Sequence, residues 1–275
     1  MPAPPGFFLS FKIALLCFGL LCCRTKAEKG MHVLFSVDAP SVEAGVFYPI
    51  PLDEEFLLLP FKEGPISGVA RISLKTGRVV WKWEDKKGLL KNNYYLGAPY
   101  VHEQVVVFAN GKHIFALGAQ QGRLLWAQTE LYPGGSSYVN GCGAWFCRAY
   151  NDRKKGVSKV VFYDIRTGEE LTRFEKKSPR PEVILDFRTP SVYISGKEDT
   201  LLAMGYAEYV PGGLTDSYLA LWPYRDTSFR HMIPVFKSDS SGHTISENGL
   251  LRGRTSFWRA AGKLMKVDLE EKVLL

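Results

Sequence analysis

Residues Gly97 to Trp126 read GAPYVHEQVVVFANGKHIFALGAQQGRLLW. The stretch breaks into four short runs, Ala98 to Val101, Gln104 to Ala109, Lys112 to Leu117 and Arg123 to Trp126. Asn110-Gly111 and Gln121-Gly122 separate the last three, and glycine takes the left-handed backbone that a tight hairpin needs. Runs this short carry no helical periodicity, so the stretch predicts four antiparallel strands in succession.

The pattern recurs along the chain. Ala70 to Trp81 (ARISLKTGRVVW) and Phe115 to Trp126 (FALGAQQGRLLW) both place glycine eighth and tryptophan twelfth, with Gly77 and Gly122 45 residues apart. Val161 to Thr172 (VFYDIRTGEELT) places Gly168 a further 46 residues on; it lacks the tryptophan, for which Phe174 is the substitute. LALWPYRD puts Asp226 at the glycine position after 58 residues, and MKVDLEEK puts Lys272 there after another 46. Four short antiparallel strands per period of about 45 residues is the signature of a propeller blade, whereas parallel solenoids have shorter repeats. The expected fold class is all-β, a β-propeller of four-stranded blades. Five turn positions imply five blades. The last copy stops at its outer strand, so His32 to Ala39 (HVLFSVDA) is expected to complete it, with the two termini closing one blade and hiding a sheet edge.

These residues resemble the PQQ-like repeat of the quinoprotein alcohol dehydrogenase-like β-propellers. That repeat has a Ser-Pro opening, a strand pair, and then Ala-x-Asp-x-x-Thr-Gly-x-x-x-Trp. Ala98-Pro99 is similar to the opening, Ala116 and Gln121-Gly122 to the turn, and Trp126 to the closing tryptophan. Ala70, Thr76-Gly77 and Trp81 repeat the match, as do Asp164 and Thr167-Gly168. The resemblance implies that Gly77, Trp81, Gly122, Trp126 and Gly168 are structural, with each tryptophan packing between neighbouring blades and burying roughly 200 Å². Family members usually have seven or eight blades, so this chain would be a compact five-bladed form or a diverged one whose N-terminal repeat is not legible. The repeat does not bring the quinone with it: no acidic site for calcium is assembled, so no cofactor and no metal is expected and PQQ binding is not.

The N-terminus sets the compartment. Ile13 to Leu21 is an uninterrupted apolar run preceded by Lys12, long enough for the core of an export signal and about half of what a spanning helix needs. Three readings remain open for residues 1–27. A peptidase could cut after Thr25-Lys26-Ala27, leaving Glu28 first. Cys22 or Cys23 could be acylated as in a lipoprotein, although Leu21 and Cys22 stand where such signals place a small residue. The run could also stay as an uncleaved anchor. Each sends residues 28–275, the propeller, to an extracytoplasmic place: periplasmic, secreted or tethered to the membrane.

Only Cys142 and Cys147 remain in the body of the chain. They are too few for structural zinc, and no histidine pair has matching spacing. A disulfide between them requires a turn within CGAWFC, since five residues of straight strand span about 16 Å and a bridge tolerates about 7 Å. Gly143 could supply that turn; the alternative is two buried thiols.

Lysine and arginine outnumber the acids by seven in the 275 residues. Three of those charges, Lys12, Arg24 and Lys26, lie before residue 28, leaving +4. Nucleic-acid binding needs a concentrated basic face and is not expected; Arg153-Lys154-Lys155 reads as a solvated loop. GGSSY at Gly134 to Tyr138 departs from a nucleophile elbow, and the five histidines are scattered. What remains is a binding surface. KNNYY offers Asn92, Asn93, Tyr94 and Tyr95, and the loop LYPGGSSYVN offers Ser136, Ser137 and Tyr138, a composition of recognition loops. YAEYVPGGLTD, Tyr206 to Asp216, is an insertion expected to form a long loop. The expected function is a non-enzymatic protein-binding or scaffold module of the cell envelope, with protein partners. The alternative is a carbohydrate-active enzyme using channel acids such as Glu103 and Glu182. The resemblance to outer-membrane assembly lipoproteins adds an envelope-assembly role.

Overall fold

The computed structural model describes residues 12–14, 36–38, 49–90, 99–110, 112–129, 132, 135–136, 138–194, 200–224, 226, 229, 231–239, 250–252, 255–260, 263–269, 271 and 273–274. The chain divides into two compact units, residues 1–94 and 95–275.

The first unit holds a four-stranded antiparallel sheet of Ile50–Pro51, Phe56–Glu63, Ile66–Ser73 and Val79–Glu84, in chain order. Leu57, Leu58 and Leu59 are all buried, so this strand is covered on both faces, as uninterrupted apolar runs require. Lys12–Ala14 pairs with Ser36–Asp38 as a separate two-stranded sheet. The rest of residues 1–27, including Cys22 and Cys23, lies outside the described residues.

Among the described residues the second unit holds four sheets, each antiparallel. The first has strands Tyr100–His102, Val105–Ala109, His113–Gly118 and Leu124–Thr129; the second has Asn140–Cys142, Trp145–Asp152, Val157–Asp164 and Glu170–Lys177. Together with the sheet of the first unit these carry the repeat at Gly77, Gly122 and Gly168. The last sheet is Leu250–Arg252, Thr255–Ala260, Lys263–Asp268 and Val273–Leu274. Its fourth strand is its own. The completion expected from His32 to Ala39 is therefore corrected: Val273–Leu274 pairs with Lys263–Asp268, while Ser36–Asp38 bonds to Lys12–Ala14.

The remaining sheet explains the long period. Ile184–Phe187 and Ser191–Ile194 both pair with Thr200–Tyr209, followed by Thr215–Pro223 and His231–Asp239. Arg188 to Pro190 interrupts the edge, where Pro190 has no N–H to give a ladder. Tyr206 to Asp216, expected as a loop, is mostly strand: only residues 210–214 turn at the tip of a long hairpin. The ladder runs unbroken through the insertion, with Tyr206 opposite Tyr218 and Tyr209 opposite Thr215.

Among the described residues one turn is built three times. At residues 73–78, Ser73 C=O accepts from Gly77 N–H (2.8 Å) and Ser73 N–H donates to Arg78 C=O (2.9 Å). The same pair of bonds joins Gly118 to Gly122 and Arg123, and Asp164 to Gly168 and Glu169. The glycines have φ of 67°, 66° and 76°. Each turn is followed by a register shift: Ile72 faces Val79 but Arg71 faces Trp81, Leu117 faces Leu124 but Ala116 faces Trp126, Tyr163 faces Glu170 but Phe162 faces Thr172. The extra residues, Val80, Leu125 and Leu171, bulge out of the ladder and stand exposed.

Candidate binding cleft

The sheets of the second unit meet through specific side chains. Trp126 stacks on Phe146 (5.9 Å between ring centroids, 10° between planes), and its indole N–H donates to Ile165 C=O at 2.9 Å. Its ring lies over Gly168. Tyr100 lies against Gly141 and its hydroxyl donates to Gly143 C=O (3.0 Å). Phe174, two residues beyond the position where its repeat lacks a tryptophan, is buried against Phe187, Trp222 and Phe229. Trp81 lies half-buried on the strand Val79–Glu84.

A cleft of about 720 Å³ opens where the turn after Trp145–Asp152 approaches the strand Ile184–Phe187. Three chain segments line it: Gly135 and Ser136; the turn from Asn151 to Lys155; and Asp186 to Arg188. Its floor is fixed by Asn151. The Asn151 amide donates to Asp186 Oδ1 (3.1 Å) and Phe187 C=O (2.9 Å), while its oxygen accepts from Phe187 N–H (2.8 Å) and the Ser158 hydroxyl (2.7 Å). Asp186 also pairs with Arg188 at 3.2 Å. Asp152 Oδ1 accepts from Lys155 N–H (3.1 Å), and its other oxygen lies 3.9 Å from Lys155 Nζ. Arg153 and Lys154 are exposed and have no carboxylate partner among the described residues.

The wall at Ser136 is held as firmly. Gly135 bridges to Tyr150, and Ser136 N–H donates to Ala149 C=O at 3.0 Å. Arg148, a buried cation on a central strand, donates its Nε–H to Ser136 C=O, with its guanidinium 5.2 Å from the Tyr150 ring. Burial lowers its pKa, as expected when a charge leaves water. Tyr150 and Tyr163 share a hydrogen bond of 2.6 Å between hydroxyls. Burial, above all, pushes Tyr163 up to about 12 and Tyr150 well above its ordinary value. Tyr132 packs edge-on against Tyr150, bonds Glu170 (3.0 Å) and Arg173 (2.6 Å), and carries the Lys159 ammonium 4.4 Å over its ring.

Of the loop residues read from the sequence, Ser136 lines the cleft. Tyr138 is half-buried, its C=O accepting from the Thr189 hydroxyl at 3.1 Å. Asn92, Asn93, Tyr94, Tyr95 and Ser137 lie outside the described residues. Glu103 and Glu182 are exposed in surface pairs, Glu103 with Arg166 (3.4 Å) and Glu182 with Arg180 (3.4 Å). Cys142 and Cys147 are free thiols, one of the two states that their spacing left open. Gly143 does make the turn, but the register sets Cys142 opposite Trp145 and Cys147 opposite Asn140. The sulfurs are thus diagonal, with β-carbons about 7 Å apart in such a ladder, and a bridge needs about 4 Å. Asn151 and Asp186 gave no signal in the sequence; their contact spans 35 positions and is set by packing of one sheet on the next.

No family of known proteins and no individual characterised protein matches the sequence. Among solved structures, the chain is similar to a chain of the hydrazine synthase of Kuenenia stuttgartiensis, at 10% identity and a TM-score of 0.59, over 81% of this chain and 65% of that one. A chain of the mitotic checkpoint complex is similar at 9% identity and a TM-score of 0.52, over 92% of this chain and 73% of that one. BamB of Moraxella catarrhalis matches at 13% identity and a TM-score of 0.49, over 84% of this chain and 61% of its own. This chain thus spans under two thirds of the BamB and hydrazine synthase chains. The fold is a β-propeller, built from antiparallel sheets of four or five strands.

Proposed function

We propose that this β-propeller of PQQ-like repeats is an exported, non-enzymatic module that binds protein in the cell envelope. The observation that carries the reading is the cleft of about 720 Å³: its walls come from three separate segments, its floor is locked by Asn151, and its rim is charged. A rigid concave surface costs little ordering on binding, which favours recognition of another macromolecule. The mitotic checkpoint complex, by its name an assembly, includes a chain of similar fold. Export is supported by Lys12 and the apolar run Ile13 to Leu21, with residues 1–27 as signal and 28–275 as propeller. The mass of the mature N-terminus separates cleavage before Glu28 from acylation at Cys22 or Cys23.

The test is affinity capture by the full chain from solubilised envelope of its source, run beside assays for glycan hydrolysis and alcohol oxidation. Reproducible recovery of a defined protein partner, with no turnover, supports the reading. Turnover without a partner overturns it in favour of the carbohydrate-active alternative.

A further inference from the structure

The turn from Asn151 to Lys155 and the segment Asp186 to Arg188 bring four cations into the cleft, Arg153, Lys154, Lys155 and Arg188, against two carboxylates, Asp152 and Asp186. Both carboxylates are already engaged. Asp186 is only 7% exposed and sits between Arg188 and the Asn151 amide; Asp152 is turned back onto Lys155. The surplus charge is therefore carried by Arg153 and Lys154, which point from a fixed turn into water. Asp152 and Lys155 also border a second hollow of about 240 Å³, lined by Tyr132, Lys159 and Glu175. There Lys159 is paired with Glu175 at 3.2 Å. The two hollows share Asp152 and Lys155, and Arg153 and Lys154 line the larger one beside the two carboxylates.

We propose that this cleft binds an acidic segment of a partner protein, with Arg153 and Lys154 meeting its carboxylates and Ser136 and Arg188 bordering its backbone. The inference rests on the protein-binding reading above and names the chemistry of the partner. A mixed-sign lining selects this class. A nucleic acid carries charge on every residue and would set phosphates beside Asp152 and Asp186, whereas a peptide can place neutral residues opposite those acids and carboxylates opposite Arg153 and Lys154. Charged rim groups act chiefly on the encounter rate and are weakened by salt.

The experiment uses the full chain and a fluorescein-labelled peptide of alternating Asp and Ser, followed by anisotropy. The neutral Asn–Ser peptide and a single-stranded oligothymidine of equal length are the comparisons. The acidic peptide should bind more tightly than either, and raised salt should weaken it. Arg153→Glu/Lys154→Glu should reduce its affinity roughly ten-fold or more, as loss of complementary rim charges does. Lys86→Glu/Lys87→Glu, which makes the same change in net charge on another exposed turn, should leave it within about two-fold. Equal loss in both variants, no preference over the neutral peptide, or tighter binding of the oligothymidine overturns the proposal. If the peptide fails while wild-type chain still captures a protein from the envelope, only the assignment of the acidic segment falls. If no protein is captured and a glycan is turned over, the protein-binding reading itself falls.

Discussion

The indole of Trp126 lies over Gly168, so close that a β-carbon at that glycine would come within 2.7 Å of the ring. Gly168 is also at φ 76°, so its lack of a side chain meets two demands at once: the backbone of the turn and the seat of the tryptophan from the preceding sheet. Gly143, at φ 57°, has nothing within 4 Å of the same added carbon. Gly143→Ala should therefore cost about 1 kcal/mol through backbone strain alone. Gly168→Ala should cost about 2–4 kcal/mol, because overpacking adds to the strain. Urea unfolding of the two variants measures the difference; equal costs would remove the tryptophan seat from the account.

Trp126 itself contributes a hydrogen bond and a stacked face. Trp126→Phe keeps an aromatic ring over Phe146 and loses the bond to Ile165 C=O, for about 1 kcal/mol. Trp126→Ala should cost about 3 kcal/mol. Both variants should retain the acidic-peptide binding of the folded protein, measured at low temperature. A stable Trp126→Ala with binding lost would instead place the ring in a ligand site.

Asn151 is the pivot between two sheets, with four hydrogen bonds from one amide. Asn151→Ala leaves Asp186 and the Phe187 backbone without those partners, and should cost about 2–3 kcal/mol. Hydrogen exchange should rise first in residues 184–188 and 151–158. Uniform loss of protection along the chain would show that Asn151 is no more than one member of a general core.

The buried tyrosines predict the alkaline limit of stability. A tyrosine that ionises near pH 10 when unfolded but is held neutral in the fold stabilises the protein fully below about pH 10. That contribution is lost as pH rises through about 12, the value to which burial pushes both Tyr100 and Tyr163. Ultraviolet titration should show Tyr163 ionising only with unfolding, and Tyr163→Phe should flatten the fall in stability above pH 10. An unchanged slope would contradict the assignment.

The thiols give a chemical check on register. Cys147 is fully buried and burial raises its pKa, while Cys142 is partly exposed. Alkylation of the native protein, mapped by mass spectrometry, should mark Cys142 well before Cys147. Reaction of Cys147 at the same rate would mean that its strand opens or is misregistered.

The repeated turn was legible because glycine spacing and hydrogen bonding coincide: Gly77, Gly122 and Gly168 each donate their N–H to the carbonyl four residues back, in turns closed by the same second bond. The bulge that follows was not. Val80, Leu125 and Leu171 keep the spacing to the next residue unchanged, so an extra residue in the ladder leaves no mark in the sequence. Phe174 was legible by position, two residues beyond the missing tryptophan. The cleft was invisible for another reason. Arg153 to Lys155 has the composition of any solvated turn, and only the packing of Asn151 on Asp186 gives that turn a concave floor. Arg148 gave no signal either: it is buried on its strand, and its Nε–H donates to Ser136 C=O.

The most direct measurement places a photo-crosslinking residue at position 154, and separately at position 86, of the full chain in its native envelope. Irradiation should yield a discrete protein adduct from position 154 and none from position 86, and the adduct should vanish with excess acidic peptide. Adducts of equal yield at both positions, or none at 154 while the purified chain turns over a glycan, would contradict the account of this propeller as a protein-binding module.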